Sequence, residues 1–130
     1  MTESRFVLDT NAIIFLATGD KAVAAAELKD KLKAADLFIS VISEIELFSK
    51  PEMVADEEEN LRAFLAERTI IIDLTDDVKS ATIALRRSVK LKLPDCIVAA
   101  TAVVLDSVLL TADKELLRLN WSGLKTQNIL

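Results

Sequence analysis

Histidine is absent from this 130-residue sequence, and cysteine and glycine are nearly so, with one and two copies. Without histidine the chain alone cannot build a Ser-His-Asp or Cys-His arrangement, nor a histidine-ligated zinc centre. The single thiol, Cys96, excludes an internal disulfide framework and a thiolate metal cluster, and it fits a reducing compartment. With only Gly19 and Gly123 present, neither a phosphate-cradling P-loop nor a GxGxxG turn is available. Long apolar runs are missing as well: Cys96 to Leu105 is far too short to cross a bilayer. The opening MTESRF lacks the basic-then-apolar order of a signal peptide. A cytoplasmic protein with no membrane partner is the expectation.

What is present narrows the chemistry further. General acid-base work falls to carboxylates, and any metal would be a hard, oxygen-ligated ion such as Mg²⁺ or Mn²⁺. Hydrophobic residues make up 52% and charged residues 28%, the balance of a folded domain rather than a disordered tail. The length suits one domain, residues 1–130, with one well-buried core. A net charge of −5 speaks against broad, sequence-independent binding to nucleic acid, but it is compatible with a local basic patch.

Short apolar runs alternate with helical stretches. Arg5–Leu8, Leu37–Val41, Thr69–Ile72 and Ser107–Leu110 read as buried strands, and Leu124–Thr126 as an edge strand. Helical spacing covers Ala22–Ala35, Ala55–Glu67, Val78–Leu91 and Ile97–Leu105, the last apolar nearly all round. This alternation predicts an α/β fold with a mostly parallel sheet flanked by helices.

Four acids fall just past strands or in first helical turns. Asp9 is the only charge between Phe6 and Gly19, and Asp95 the only charge from Leu93 to Leu105. Asp113 follows the fourth strand and Glu46 the second. Each has a structural explanation: Asp9 and Asp113 as helix caps, Ser43-x-x-Glu46 as a capping box, Asp95 as a first-turn acid beside Pro94. Carboxylates gathered at one sheet edge would repel, however, unless a cation compensated them. Divalent ions relieve that cost and can drive phosphodiester hydrolysis.

Together, VLDTNAII, ISVISEIELF, LPDCIVAATAVV and LLTADKEL make the chain resemble the PIN domain, most closely the VapC-type toxins of toxin–antitoxin pairs. The resemblance places the family's metal-binding acids on Asp9, Glu46 (rather than Glu44), Asp95 and Asp113, and matches Thr10, Asn11 and Thr111 to polar neighbours that orient carboxylates or metal-bound water. It implies a five-stranded parallel sheet, Mg²⁺- or Mn²⁺-dependent endoribonuclease activity on RNA, homodimers, and a cognate antitoxin whose tail binds near the acids. One departure stands out: an aromatic residue often follows the family's fourth acid, and here Asp113 precedes Lys114-Glu115-Leu116-Leu117.

Arg86, Arg87, Lys90 and Lys92 form a candidate RNA-contacting face, for which a solvated helix surface is at least as good a reading. Ser43 is divided between capping and substrate contact, and Trp121 is assigned to packing. A receiver domain would need an acidic pair after the first strand, where Asp9 stands alone; a haloacid-dehalogenase-like phosphatase would need Asp at Asn11. The rival of a different class is a PIN-like scaffold that binds a protein partner with little or no nuclease activity. The apolar residues Ile13, Ile14 and Phe15, and Leu61, Phe64 and Leu65, are candidate partner surfaces, although core packing explains them first.

Overall fold

A computed structural model describes residues 4–19 and 23–130. Strand β1 (Arg5–Leu8) is followed by α1 (Thr10–Thr18) and α2 (Val23–Lys31), then β2 (Asp36–Ser40), α3 (Val41–Phe48) and α4 (Ala55–Arg68). Next come β3 (Thr69–Ile72), α5 (Asp76–Ser88), α6 (Leu93–Val104), β4 (Val108–Thr111), α7 (Lys114–Arg118) and β5 (Lys125–Asn128). The expected start of the second helix, Ala22, lies outside the described residues, as does the MTE of the opening motif.

The five strands run parallel in the order β3-β2-β1-β4-β5. Period-two alternation divides the strand side chains between two helical layers. Phe6, Leu8, Leu37, Ile39, Val108 and Leu110 pack with Ala12, Ile13 and Leu16 of α1, Leu28 of α2 and Leu61 and Leu65 of α4. Val7, Phe38 and Leu109 point the other way, onto Leu85 of α5, Val98, Ala99 and Ala102 of α6 and Leu116 of α7. The central strands therefore need apolar residues at consecutive positions, because both faces are covered. Helix α6 is buried from Cys96 to Ala102, as its uniform apolarity predicts.

Several boundaries differ from the sequence reading for identifiable reasons. Strand β2 stops at Ser40, not Val41, because the Ser40 hydroxyl accepts the Ile42 amide at 3.2 Å and starts α3 there. The capping-box reading of Ser43 and Glu46 is thereby corrected: both lie inside α3. Helix α5 begins at Asp76, where Thr75 caps the Val78 amide at 3.2 Å, and Pro94 sits in the first turn of α6, so that helix starts before Ile97. The Thr69–Ile72 run is not a buried strand. It forms the sheet edge, leaving Ile70 and Ile71 56% and 38% exposed. After Asp113, Leu116 is fully buried and fills the core beneath α7. Trp121 packs against the same cluster, and Gly123, at φ 85°, makes the turn into β5.

Strands β1, β2 and β3 step outward on one side, and the chain then crosses back to lay β4 against the other side of β1. The order reverses between β1 and β4, so the loops leaving their carboxyl ends diverge and open a crevice.

Candidate active site

Asp9 and Thr111 occupy the two lips of that crevice. The Asp9 amide donates to the Leu110 carbonyl at 3.0 Å, which extends the β1–β4 pairing by one residue. Asp9 caps α1 with an extended backbone, and its carboxylate, in a residue only 7% exposed, accepts three hydrogen bonds. These come from the Thr10 amide to Oδ1 at 2.9 Å, from Asn11 Nδ2 to Oδ2 at 3.2 Å and from the Thr111 hydroxyl to Oδ2 at 2.7 Å. Capping and a buried polar network are both true of Asp9.

Asn11 and Thr111 knit the two lips together. The Ala112 amide donates to Asn11 Oδ1 at 2.9 Å, and Thr111 Oγ1 accepts the Asp113 amide at 3.0 Å. Asp113 in turn caps α7, its Oδ1 accepting the Glu115 and Leu116 amides at 2.8 and 3.3 Å. This leaves Oδ2 for the cleft. Thr10 contributes its amide to Asp9, whereas its buried hydroxyl has no hydrogen-bond partner among the described residues.

Asp95 stands in the first turn of α6 and Glu46 near the C-terminal end of α3. All four acids, with Thr10, Asn11 and Ile14, line one open cleft of about 360 Å³. Glu44 faces elsewhere, into a depression lined by Phe48 and Arg62. Ile14 was not singled out as a site residue by sequence, although Thr10 and Ile14 are four apart and share a helix face. Burial, followed by the negative charges of Asp113, Asp9 and Glu46, pushes the Asp95 carboxyl up to about 6, with Lys92 acting in the opposite sense. Mutual repulsion among these carboxylates is thus a property of the cleft.

Among the described residues no three acids converge into a ready-made metal cage. The donor set still fits a hard cation. All four acids lining the cleft offer carboxylate oxygens, and Mg²⁺ typically binds through one or two carboxylates while keeping several waters. Such an ion would offset the repulsion that raises Asp95.

The basic candidates separate. Arg86 Nη1 donates to the Leu91 carbonyl at 2.6 Å, fastening the α5–α6 connection. Lys92, at the N-cap of α6, opposes the shift at Asp95, but like Arg87 and Lys90 it is exposed and does not line the cleft. Ser43 is wholly buried, with no hydrogen-bond partner for its hydroxyl among the described residues, so it presents nothing to a substrate. Of the apolar candidates, Ile13, Leu61 and Leu65 belong to the core. Phe64 opens onto a second groove of about 360 Å³, floored by Leu16, Leu32 and Leu37 and rimmed by Lys29, Lys33 and Arg68.

The sequence model of the PIN domain matches residues 6–121. No curated protein matches the chain. Among solved structures, a toxin–antitoxin complex from Klebsiella pneumoniae is 30% identical, covering 91% of this chain and 93% of that one with a TM-score of 0.70. VapBC-1 from nontypeable Haemophilus influenzae is 25% identical over 96% and 98% of the two chains, with a TM-score of 0.73. VapBC2 from Rickettsia felis, bound to a DNA fragment from its promoter, is similar in fold at 23% identity, over 95% and 98%, with a TM-score of 0.78.

Proposed function

Because the chain belongs to the PIN-domain family, we propose that it is a Mg²⁺- or Mn²⁺-dependent endoribonuclease and the toxin of a toxin–antitoxin pair. The observation that carries this reading is the meeting of Asp9, Glu46, Asp95 and Asp113, from four separate segments, in one cleft at the switch in strand order. Asp9 and Asp95 would hold the ion directly, with Glu46 and Asp113 contributing in part through water. A bound divalent ion would supply charge stabilisation at the phosphate and would polarise a water for attack on it. Thr111 and Asn11 hold the Asp9 carboxylate in one orientation, and the Thr111 hydroxyl ties Asp113 to the same lip. Asp113, held through Oδ1 by two amides, keeps its other oxygen toward the substrate side. Preorganised carboxylates of this kind lower the rearrangement needed when charge develops on the phosphate.

The same reading includes an antitoxin, a second copy of the chain, and the cytoplasm as its compartment. An apolar groove rimmed by Lys29, Lys33 and Arg68 suits an acidic segment with apolar anchors. Exposed Ile45 on α3 and Ile83 on α5 are surface that a second copy would cover, which sedimentation would detect. No described helix is long and apolar enough to cross a membrane.

Incubation of total cellular RNA with the protein and Mn²⁺ tests the enzyme. Discrete cleavage by wild type and none by a folded Asp9→Asn variant is expected; equal cleavage by both refutes the assignment. The scaffold alternative draws on the absence of a ready-made metal cage among the described residues. Calorimetry that detects no Mn²⁺ binding to the wild type would favour it.

A further inference from the structure

Along α1 the surroundings change from one side chain to the next. Ala12 and Ile13 are fully buried and Leu16 nearly so, whereas Ile14 is half-buried. One side of Ile14 packs against the core that β1, β2, β4 and α4 share, and the other lines the four-acid cleft. It stands one turn beyond Thr10 on the same helix face, about 6 Å further along the axis. The other lining residues are the four acids, Thr10 and Asn11, so among the described residues Ile14 is the one apolar side chain in the cleft. The more exposed Ile45, Ile70, Ile83 and Leu93 do not line it.

The place of Ile14 is also fixed. Asn11 ties the first turn of α1 to the far lip through the Ala112 amide at 2.9 Å, and the Ile14 carbonyl accepts the Thr18 hydroxyl at 2.7 Å. A β-branched side chain in a helix keeps essentially one rotamer. Such an alkyl surface cannot serve a phosphate, because it returns neither hydrogen bond nor charge for the hydration lost. The faces of the nucleobases are the apolar parts of an RNA strand, and every base has one.

We propose that Ile14 is a specificity-determining residue, packing against the face of the nucleobase beside the scissile phosphate and so requiring that base to be unstacked. The inference rests on the nuclease reading above. With a phosphodiester at Asp9 and Asp95, one turn along α1 is roughly the step from a phosphate to the base of the same nucleotide. A base inside a duplex is stacked on both faces and cannot offer one, so the contact selects unpaired nucleotides.

The test first locates the preferred cut in a fluorescein-labelled random-sequence single-stranded RNA with Mn²⁺. A synthetic RNA of that sequence is then used intact, or with the base removed from one nucleotide flanking the cut. Ile14→Ala should raise KM for the intact RNA about fivefold with kcat within about twofold, and Ile14→Leu should restore KM. Base removal at one flanking position should raise the wild-type KM by a similar factor, and the two losses should not add, as expected of partners in one contact. Anisotropy in an Asp95→Asn background should show Ile14→Ala weakening RNA binding without changing the slope of log K against log salt, since no phosphate contact is lost. Circular dichroism checks each variant, and Ile14→Val, one methylene smaller, replaces Ile14→Ala should that variant not fold. An unchanged KM in the folded variant, a wild-type KM indifferent to base removal on both sides, or losses that add overturn the assignment. So does a fall in kcat with altered Mn²⁺ affinity, which would make Ile14 a group that desolvates the acids. A wild type that binds RNA without cutting it refutes the nuclease reading, and anisotropy on the random-sequence RNA then decides Ile14 by itself. A wild type that neither binds nor cuts refutes both.

Discussion

Replacement of Asp95 by asparagine removes a charge that the folded chain holds at a cost. A carboxyl raised from its ordinary 3.8 to about 6 corresponds to about 3 kcal/mol against the ionised form. The side chain is half-buried rather than enclosed, and solvent screening reduces the effect on stability to about 1 kcal/mol. Between pH 3.8 and about 6 the folded state binds more protons at Asp95 than the unfolded state does. Stability therefore falls as pH rises through that window, and the penalty is complete above it. Asp95→Asn should melt about 4 °C above wild type at pH 7.5 in EDTA, and the gap should close by pH 4. Scanning calorimetry at both values is the assay. Added Mn²⁺ should narrow the neutral-pH gap, because an ion held by the folded cleft stabilises wild type by mass action. An Asp95→Asn variant less stable than wild type at pH 7.5, or a gap indifferent to pH, refutes the reasoning.

Thr111 is fully buried between the lips, so Thr111→Val should cost about 2 kcal/mol by leaving Asp9 Oδ2 and the Asp113 amide short of a partner, whereas Thr111→Ser should cost less than half of that in urea denaturation. Arg86→Ala should lower stability by about 1 kcal/mol and speed amide exchange in residues 89–93, where the Leu91 carbonyl loses its guanidinium donor and keeps only the weak Cys96 thiol contact; unchanged exchange there would contradict the clamp. Leu61→Ala, in the layer of α1 and α4, should cost about 3 kcal/mol while leaving the Mn²⁺ affinity of the folded protein intact in a calorimetric titration.

The fold was legible wherever one physical signal dominated. Both faces of β1, β2 and β4 are covered, so their apolar runs stood out, and the uniformly apolar α6 was the buried helix. Thr69–Ile72 carries the same signal as a central strand, yet its place is decided by sheet order, and nothing within four residues encodes that. The short α3 was obscured because Ile39-Ser40-Val41-Ile42 continues β-branched character across a boundary that one serine hydroxyl defines.

Asp9 and Asp95 were conspicuous as lone charges in apolar surroundings, and each does lie at the cleft. Ser43 misled because its spacing to Glu46 imitates a cap that belongs to Ser40. Among Arg86, Arg87, Lys90 and Lys92, composition offered no way to choose. The distinction depends on where α5 ends and on which carbonyl Arg86 reaches once it has ended.

The most direct measurement is the rate of single-stranded RNA cleavage against free Mn²⁺ for wild type and a folded Asp95→Asn variant. A carboxylate-held metal as the source of activity predicts saturating, EDTA-reversible cleavage by wild type and a loss of at least about a hundredfold in the variant, as expected for removal of a charged group that stabilises the transition state. Wild-type cleavage that persists in EDTA, or an Asp95→Asn rate equal to that of wild type at every Mn²⁺ concentration, would contradict it.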